Sequence, residues 1–426
     1  MTTTGVPGAA ARRTASTLRP PDRRNLSRSG DIRARRRSGV VDGGQARTGD
    51  IYAPGVPSFE PVHEALQAYG EADPTYSAQL TVHLGAERVV DLTVGSTLPA
   101  DSLLPVYSSS KGATAVVVAL LVERGQLDLD AAVSSYWPEF AQAGKGAVSV
   151  RQLLSHQAGL PGVDGGYTWD DLLAHAPLAD KLAAQRPFWQ PGQAFLYHGL
   201  TIGTLADELV RRIDGRTVAD VLRGDVTGPR RIDVWMGTPA SEDHRVVEAR
   251  PPTADELSAY LAESPGALSG GDDVTTLSVP IGHPMELFGR VNDEAFRRVG
   301  PPAAGVLASA RGLAALYASL RHEVGGQPRV LADDTIAQMA QIQVSGTELG
   351  TNLQARFGVI FQAPCGPRWP FGSVRAFGHD GAGGSLAFCD PTHDLAFAYT
   401  VQRLPLPGGM DARAVELARL VRRSLR

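Results

Sequence analysis

Short apolar segments near both ends of the chain enclose a long middle part with helical patterns. Where apolar and polar residues alternate and turn residues such as Gly85 follow, the pattern predicts β-strands. The segments predicted as strands are residues 77–84, 88–95, 356–362, 384–389 and 394–402. Residues 58–72 and 412–425 are predicted as helices, and the apolar residues of the second one share a single face.

The apolar run from Ala115 to Val122 fits either a strand or a helix by its periodicity. Its length and alanine content, with Arg124 in the last turn and Gly125 as a stop signal, favour a buried helix. Residues 130–330 have mostly helical patterns interrupted by Gly/Pro loops. Residues 240–300 are irregular, and because long loop regions are often functional, we expect a wall of an active site there.

Strands at both chain ends with helices between them predict a mixed α/β (α+β) fold. One antiparallel sheet would be formed from about residues 75–105 and 355–403, flanked by helices, and residues 125–330 would form a helical lobe. Residues 56–426 would together make up this one domain.

The first 55 residues differ in composition from the rest of the chain. Residues 1–50 contain eleven arginines, four aspartates and few large apolar residues. Such a segment buries too little apolar surface to offset its ordering entropy, so residues 1–55 are predicted to be a disordered, Arg-rich extension. The run Arg35–Arg37 would also suit an arm that binds nucleic acid, but we favour a solvated tail. The small net charge of −4 predicts no nucleic-acid partner for the remaining residues.

The composition disfavours several other classes of protein. No apolar run approaches about 18 residues, so no membrane span is expected. No apolar segment follows Arg12-Arg13 as it would in an export signal, and the expected location is the cytoplasm. The two cysteines, Cys365 and Cys389, supply neither a disulfide framework nor a zinc cluster, so no metal or cofactor is expected.

One of the only three lysines in the chain, Lys111, follows a run of serines. Unlike an arginine, a desolvated lysine can lose its proton and act as a base. Ser108 precedes Lys111 by three residues, so on a helix both side chains lie on one face, and the lysine can activate the hydroxyl as a nucleophile. Ser109 and Ser110 lack this spacing. The alternative is a Ser-rich helix start followed by a surface lysine.

Two later segments accompany this pair. Tyr197 lies in PFWQPGQAFLYHGL, and His379-Asp380-Gly381 lies in FGHDGAGGSLAF. With S-x-x-K at Ser108–Lys111, Y-H-G at Tyr197 and H-D-G at His379, the chain resembles the serine β-lactamase and penicillin-binding-protein superfamily. Within it, the chain is most similar to the class C β-lactamase-like esterases called family VIII carboxylesterases. The likeness covers about residues 60–426 and includes the segments LVERGQLDLD and VRQLLSHQAGLPG.

The resemblance implies a role for each motif. Ser108 would form an acyl-enzyme, and Lys111 and Tyr197 would share the work of the base, with Tyr197 also protonating the leaving group. Which of these two is the general base stays open. The oxyanion hole would use the backbone N–H groups of Ser108 and Ala382. The residues expected to contact the substrate are His198, His379, Asp380 and Gly381, although a neighbour such as His198 more often points away from the site.

Two departures from the family pattern favour esters over β-lactams. His379 stands where lactamases and peptidases have a lysine that binds the substrate carboxylate, and a largely neutral histidine does this less well at pH 7. Gly199 stands where the second motif often has asparagine, and Asp380 adds negative charge. We therefore expect a serine carboxylesterase that acts on small-molecule esters or acyl donors. The alternatives are an acyltransferase with an alcohol or amine acceptor, a β-lactamase or D-Ala peptidase, and a binding module without catalysis.

Overall fold

Both ends of the chain contribute strands to one five-stranded antiparallel sheet. The computed structural model describes residues 58–95, 98–263, 286–349, 353–406 and 408–426. The strands are β1 (Ala78–Leu84), β2 (Glu87–Val94), β3 (Phe377–Asp380), β4 (Leu386–Asp390) and β5 (Leu395–Val401). Their order in the sheet is β2-β1-β5-β4-β3, so the first hairpin lies beside the last strand. The predicted sheet from both chain ends is confirmed.

The two faces of the sheet pack against different helices because side chains alternate along each strand. One face presents Leu80, Phe397 and Tyr399 to helices α1 (Glu60–Ala72) and α5 (Ala412–Ser424). The other face carries small and polar side chains, such as Thr81, Ala396 and Ala398, and packs against α4 (Ala310–Ser319) and the helical lobe. Burial of each Leu or Phe side chain contributes about 1.5–3 kcal/mol to folding.

The helical lobe is built around two longer helices, α2 (Ser110–Glu123) and α3 (Thr201–Asp214). Every residue of α2 from Ser110 to Leu121 is buried, which confirms the predicted buried helix. A Cβ at Gly112 would lie 2.1 Å from the Tyr317 hydroxyl, so only glycine lets α2 approach α4 this closely. The helix ends at Glu123 with Arg124 as its C-cap, and Gly125 follows with φ of +66°.

Shorter elements complete the described chain. The other α-helices are Val150–Leu154, Trp169–Ala174, Ala176–Ala184, Val218–Val221, Gly228–Arg230, Ala254–Glu263, Glu286–Arg290, Glu294–Val299 and Asp333–Ala340. The 3₁₀ and π turns are Tyr107–Ser109, Val133–Ser135, Pro138–Gly144, Leu222–Thr227 and Ala240–Arg245. The small strands are Leu104–Pro105, Val234–Met236, Val306–Ala308, Val344–Thr347, Gln354–Phe357, Gly383–Gly384 and Gly409–Met410.

The predicted strand over residues 356–362 is wrong in its extent. Only Gln354–Phe357 is a strand, and it pairs with Val344–Thr347 in a separate hairpin. The chain then turns, with Ile360 at φ of +64°, and Ile360 N–H donates to the Leu154 carbonyl of the helical lobe. An apolar run signals burial, and here the burial is that of a packed turn rather than of a sheet strand. Gln362 alone bridges to β3.

Two further predictions are adjusted by the structure. Leu104–Pro105 does not belong to the main sheet but pairs with Val306–Ala308 in a three-stranded sheet. The region predicted as irregular, residues 240–300, contains helices such as Ala254–Glu263 and Glu294–Val299. Its Gly270-Gly271 and Asp272-Asp273 pairs lie outside the described residues, as does the predicted extension 1–55.

No helix in the described ranges combines the length and apolar character that a membrane crossing requires.

Candidate active site

The turn that carries Ser108 joins the small strand Leu104–Pro105 to helix α2. Tyr107 adopts φ of +47°, a conformation that costs a non-glycine residue free energy and persists only where the surroundings enforce it. Ser110 helps to enforce it, because its Oγ donates to the Tyr107 carbonyl at 2.5 Å and accepts from Val306 N–H at 3.0 Å. Ser108 is partly exposed, whereas Ser109 and Ser110 are buried.

Ser109 has a structural role that explains why the run contains three serines. Its Oγ donates to the His379 carbonyl at 3.1 Å and lies 2.9 Å from the Ser385 Oγ. These contacts join the start of α2 to strand β3 and to the residue that precedes β4. Of the three hydroxyls, the one at Ser108 is therefore the one presented to solvent and to Lys111.

Lys111 is fully buried directly beneath Ser108. Its Nζ donates to Ser108 Oγ at 3.0 Å and to the Ala303 carbonyl at 2.9 Å. Within the described residues, no carboxylate lies within ion-pair distance of it. Burial lowers the pKa of Lys111 to about 7, and the negative charge of Asp380 opposes that shift. A hydroxyl therefore lies within hydrogen-bond distance of an amine that is half neutral near pH 7.

Tyr197 closes the other side of this pair. The Lys111 Nζ lies 4.9 Å from the centroid of its ring, and the ring stacks on Phe357 at 5.8 Å. Burial raises the pKa of the Tyr197 phenol well above its usual range, while a hydrogen bond with the Ser108 side chain lowers it. Glu348, itself buried, accepts a hydrogen bond from Tyr197 N–H at 3.0 Å and so holds this segment in place.

The third motif is the end of strand β3 and the turn that follows it. Asp380 and Ala382 line the same cavity as Ser108. A Cβ on Gly381 would lie 2.3 Å from both the Val106 carbonyl oxygen and Ser385 Oγ. Glycine is therefore required here for close approach to the protein's own nucleophile turn, and the expected contact of Gly381 with the substrate stays a prediction.

Comparison with known proteins shows the family of this chain. Residues 62–421 match the family described as Beta-lactamase. The chain belongs to the β-lactamase family. LipL of Mycobacterium tuberculosis, named an esterase/beta-lactamase, is 32% identical over 348 residues, which are 77% of each protein. The predicted superfamily and fold class are confirmed.

Two solved structures extend the likeness of this β-lactamase-family protein to nearly the whole described chain. EstA from Arthrobacter nitroguajacolicus Rue61a has a TM-score of 0.79 and 37% identity, covering 88% of this chain and 98% of its own. A family VIII carboxylesterase has a TM-score of 0.74 and 31% identity, covering 88% and 99% respectively.

His379 lies in the site but does not line its cavity. The ring is fully buried, and its Nδ1 donates to the Asp380 carbonyl at 2.7 Å. Its Nε2 has no hydrogen-bond partner among the described residues. Burial and the nearby Lys111 charge lower its pKa well below the ordinary value, so the ring is neutral. The predicted direct contact between this imidazole and the substrate has no support in this geometry.

His198 is likewise a structural residue. Its Nε2 accepts from Leu160 N–H at 3.0 Å, and its Nδ1 lies 2.6 Å from the Leu196 carbonyl oxygen. Both ring nitrogens are therefore used by the backbone, and burial lowers the pKa to about 4. We do not retain His198 as a substrate contact. Its neighbour His156 accepts from His198 N–H at 3.1 Å and packs against the Tyr197 ring at 5.2 Å.

The cavity at Ser108 has a volume of about 340 Å³ and includes residues that the sequence analysis missed. Its described lining consists of Ser108, Tyr197, Gln362, Arg368, Trp369, Asp380, Ala382, Gly408, Gly409 and Met410. The Gly408-Gly409 pair was a visible signal of close backbone approach. Arg368 had no local signal, because it is one of many arginines and reaches the cavity only through the tertiary fold.

Proposed function

We propose that this protein is a serine carboxylesterase that forms an acyl-enzyme at Ser108. The observation that carries the proposal is the 3.0 Å contact between Ser108 Oγ and the Nζ of a buried Lys111 whose pKa is about 7. A hydroxyl becomes nucleophilic when a neighbouring base takes its proton, and a base is most effective when its pKa lies near the working pH. The names of its relatives, an esterase/beta-lactamase and a family VIII carboxylesterase, support the same reaction.

In the proposed mechanism, Lys111 is the general base and Tyr197 the proton donor. Neutral Lys111 takes the proton of Ser108 as Oγ attacks the ester carbonyl. The negative oxygen of the tetrahedral intermediate accepts from the N–H groups of Ser108 and Ala382. Because its raised pKa keeps Tyr197 protonated, this phenol gives its proton to the departing alcohol oxygen and regains one from Lys111. Water then attacks the acyl-enzyme by the reverse use of the same groups.

Intact-protein mass spectrometry after exposure to p-nitrophenyl acetate tests the proposal. We expect a single acetyl adduct in the wild type and none in Ser108→Ala, together with loss of p-nitrophenol release. Ser109→Ala is the matched control, because it removes a neighbouring hydroxyl that makes only structural hydrogen bonds. An adduct that persists in Ser108→Ala would assign the nucleophile elsewhere. No adduct in any protein, with no ester turnover, would favour a catalytically silent binding module.

Acyl transfer uses the same acyl-enzyme and differs only in the acceptor. Adding an alcohol or an amine to the ester assay distinguishes a hydrolase from a transferase. In the presence of the acceptor, a transferase releases p-nitrophenol faster and forms the new ester or amide. We propose hydrolysis as the main reaction, acting on small-molecule esters. A cytoplasmic location remains a prediction from the sequence.

A further inference from the structure

Arg368 is a cation that the mechanism above does not use. It lines the cavity at Ser108, and its side chain is 29% exposed. Among the described residues, its guanidinium makes one hydrogen bond, from Nη1 to Glu348 Oε2 at 2.5 Å. The same group lies over the Trp369 ring, 4.5 Å from its centroid. These two contacts fix the plane of the guanidinium without using most of its donors.

The donors that remain are suited to a carboxylate. A guanidinium carries five N–H groups in a rigid plane and binds carboxylates with two parallel hydrogen bonds. Trp369 covers the face of the plane and Glu348 takes one N–H, so the other donors are left at the edge. Asp380 is the one carboxyl group of the described cavity lining. Burial raises the pKa of this carboxyl group, while the positive charge of Arg368 opposes that shift.

Glu348 shows which part of a substrate Arg368 would meet. Its Oε1 accepts from Tyr197 N–H at 3.0 Å while its Oε2 accepts from Arg368, so one buried carboxylate connects the two residues. Arg368 therefore lies on the Tyr197 side of the cavity. In the proposed mechanism Tyr197 protonates the leaving alcohol, so the alcohol part of the ester is the part next to Arg368.

We propose that Arg368 binds a carboxylate on the alcohol part of the substrate, so that the preferred substrates are esters of carboxylate-bearing alcohols or phenols. This proposal rests on the proposed esterase function and adds the substrate class. A purely structural role is the alternative, in which the Arg368–Glu348 pair only holds the Tyr197 segment. That role would affect all esters equally and would leave their relative rates unchanged.

The test compares kcat/KM for p-nitrophenyl acetate and m-carboxy-p-nitrophenyl acetate, which differ by one carboxylate on the leaving group. We expect the wild type to prefer the carboxylated ester, and Arg368→Gln to lower the ratio about 10- to 100-fold, as for the loss of a charge-assisted hydrogen-bond pair. Arg368→Lys keeps the charge but loses the paired donors, and should retain part of the ratio. Arg311→Gln, which removes an arginine paired with Asp91 outside the cavity, is the matched control and should not change it.

Three outcomes would overturn the proposal. The first is an unchanged ratio in Arg368→Gln. The second is a preference that appears only when the carboxylate is on the acyl chain, measured with p-nitrophenyl hexanoate and the mono-p-nitrophenyl ester of adipate. The third is equal binding of m-carboxy-p-nitrophenol to the wild type and Arg368→Gln in titration calorimetry, a measurement that needs no turnover. The proposal predicts weaker binding to the variant. If neither acetate is turned over but m-carboxy-p-nitrophenol still binds in a way that depends on Arg368, only the esterase function would be refuted.

Discussion

Replacing Lys111 with arginine separates positive charge from basicity at the nucleophile. A lysine with a pKa of about 7 is half neutral at pH 7, whereas one at the ordinary value of 10.5 would be neutral in about one molecule in 3,000. An arginine is never neutral in this range. If the neutral amine takes the proton of Ser108, Lys111→Arg should lower kcat/KM by about 10³–10⁴-fold, close to the loss in Lys111→Ala.

The pH dependence of kcat/KM gives an independent measure of the same group. Because burial lowers the pKa of Lys111, activity should rise with pH, reach half its maximum near pH 7 and level off above about pH 8. The assay follows p-nitrophenyl acetate by acid release at constant pH, with thermal melting as the control for folding. The Asp380 charge raises the Lys111 pKa, so Asp380→Asn should move the midpoint to lower pH.

Two results would refute the assignment of Lys111 as the base. One is a kcat/KM within tenfold of the wild type in a folded Lys111→Arg enzyme. The other is a flat profile between about pH 6 and 9, since a group with a pKa of about 7 must titrate in that interval. A midpoint that stays near pH 7 in Lys111→Arg would assign the titration to a different residue.

Four further predictions concern other parts of the molecule. Tyr197→Phe should lower kcat by about 10²–10⁴-fold, with the larger loss for poorer leaving groups that need a proton, measured over a series of aryl and alkyl esters. A chromogenic cephalosporin should have a kcat/KM at least about 100-fold below that of p-nitrophenyl acetate, because a buried, neutral His379 stands where lactamases have a carboxylate-binding lysine. Any residual cleavage of the cephalosporin should fall further in Arg368→Gln. Deleting residues 1–50 should leave ester turnover and the melting temperature nearly unchanged. Lys111→Met should gain unfolding free energy over the wild type, and this gain should be smallest at high pH. The unfolded wild type binds more protons than the folded protein between about pH 7 and 10.5, so the stability of the wild type rises with pH in that interval. Denaturant titrations at several pH values check this.

Most of the main sheet follows from local patterns in the sequence. Strands β4 and β5 combine dense apolar residues with turn residues at their ends, and the burial of every residue in both strands matches that signal. Residues 356–362 have the same apolar density but form a buried turn, because backbone groups there bond to the helical lobe. A high density of apolar residues therefore predicts burial. The hydrogen-bond partners of the backbone decide whether the buried segment is a strand or a turn.

The site separates in the same way into local and tertiary parts. Ser108 and Lys111 are three residues apart, so a single helical turn brings them together and the spacing alone predicts their contact. Arg368 and Glu348 are 20 residues apart, and Glu348 is 151 residues from Tyr197, so only the tertiary fold brings the three together. No short pattern encodes that meeting, so the sequence predicts the nucleophile and its lysine but not the Arg368 side of the cavity.

Several features that cost stability lie around the proposed catalytic pair. Tyr107 and His156 have positive φ without being glycine, Lys111 is buried without a carboxylate partner among the described residues, and the buried Nε2 atoms of His156 and His379 have no hydrogen-bond partner there. Each feature is unfavourable by itself. Together they place a hydroxyl over an amine that burial leaves partly deprotonated near pH 7, and they surround the pair with neutral rings. A lysine pairing with an acid would be more stable and keep its proton, so the unfavourable burial of Lys111 is the feature that permits catalysis.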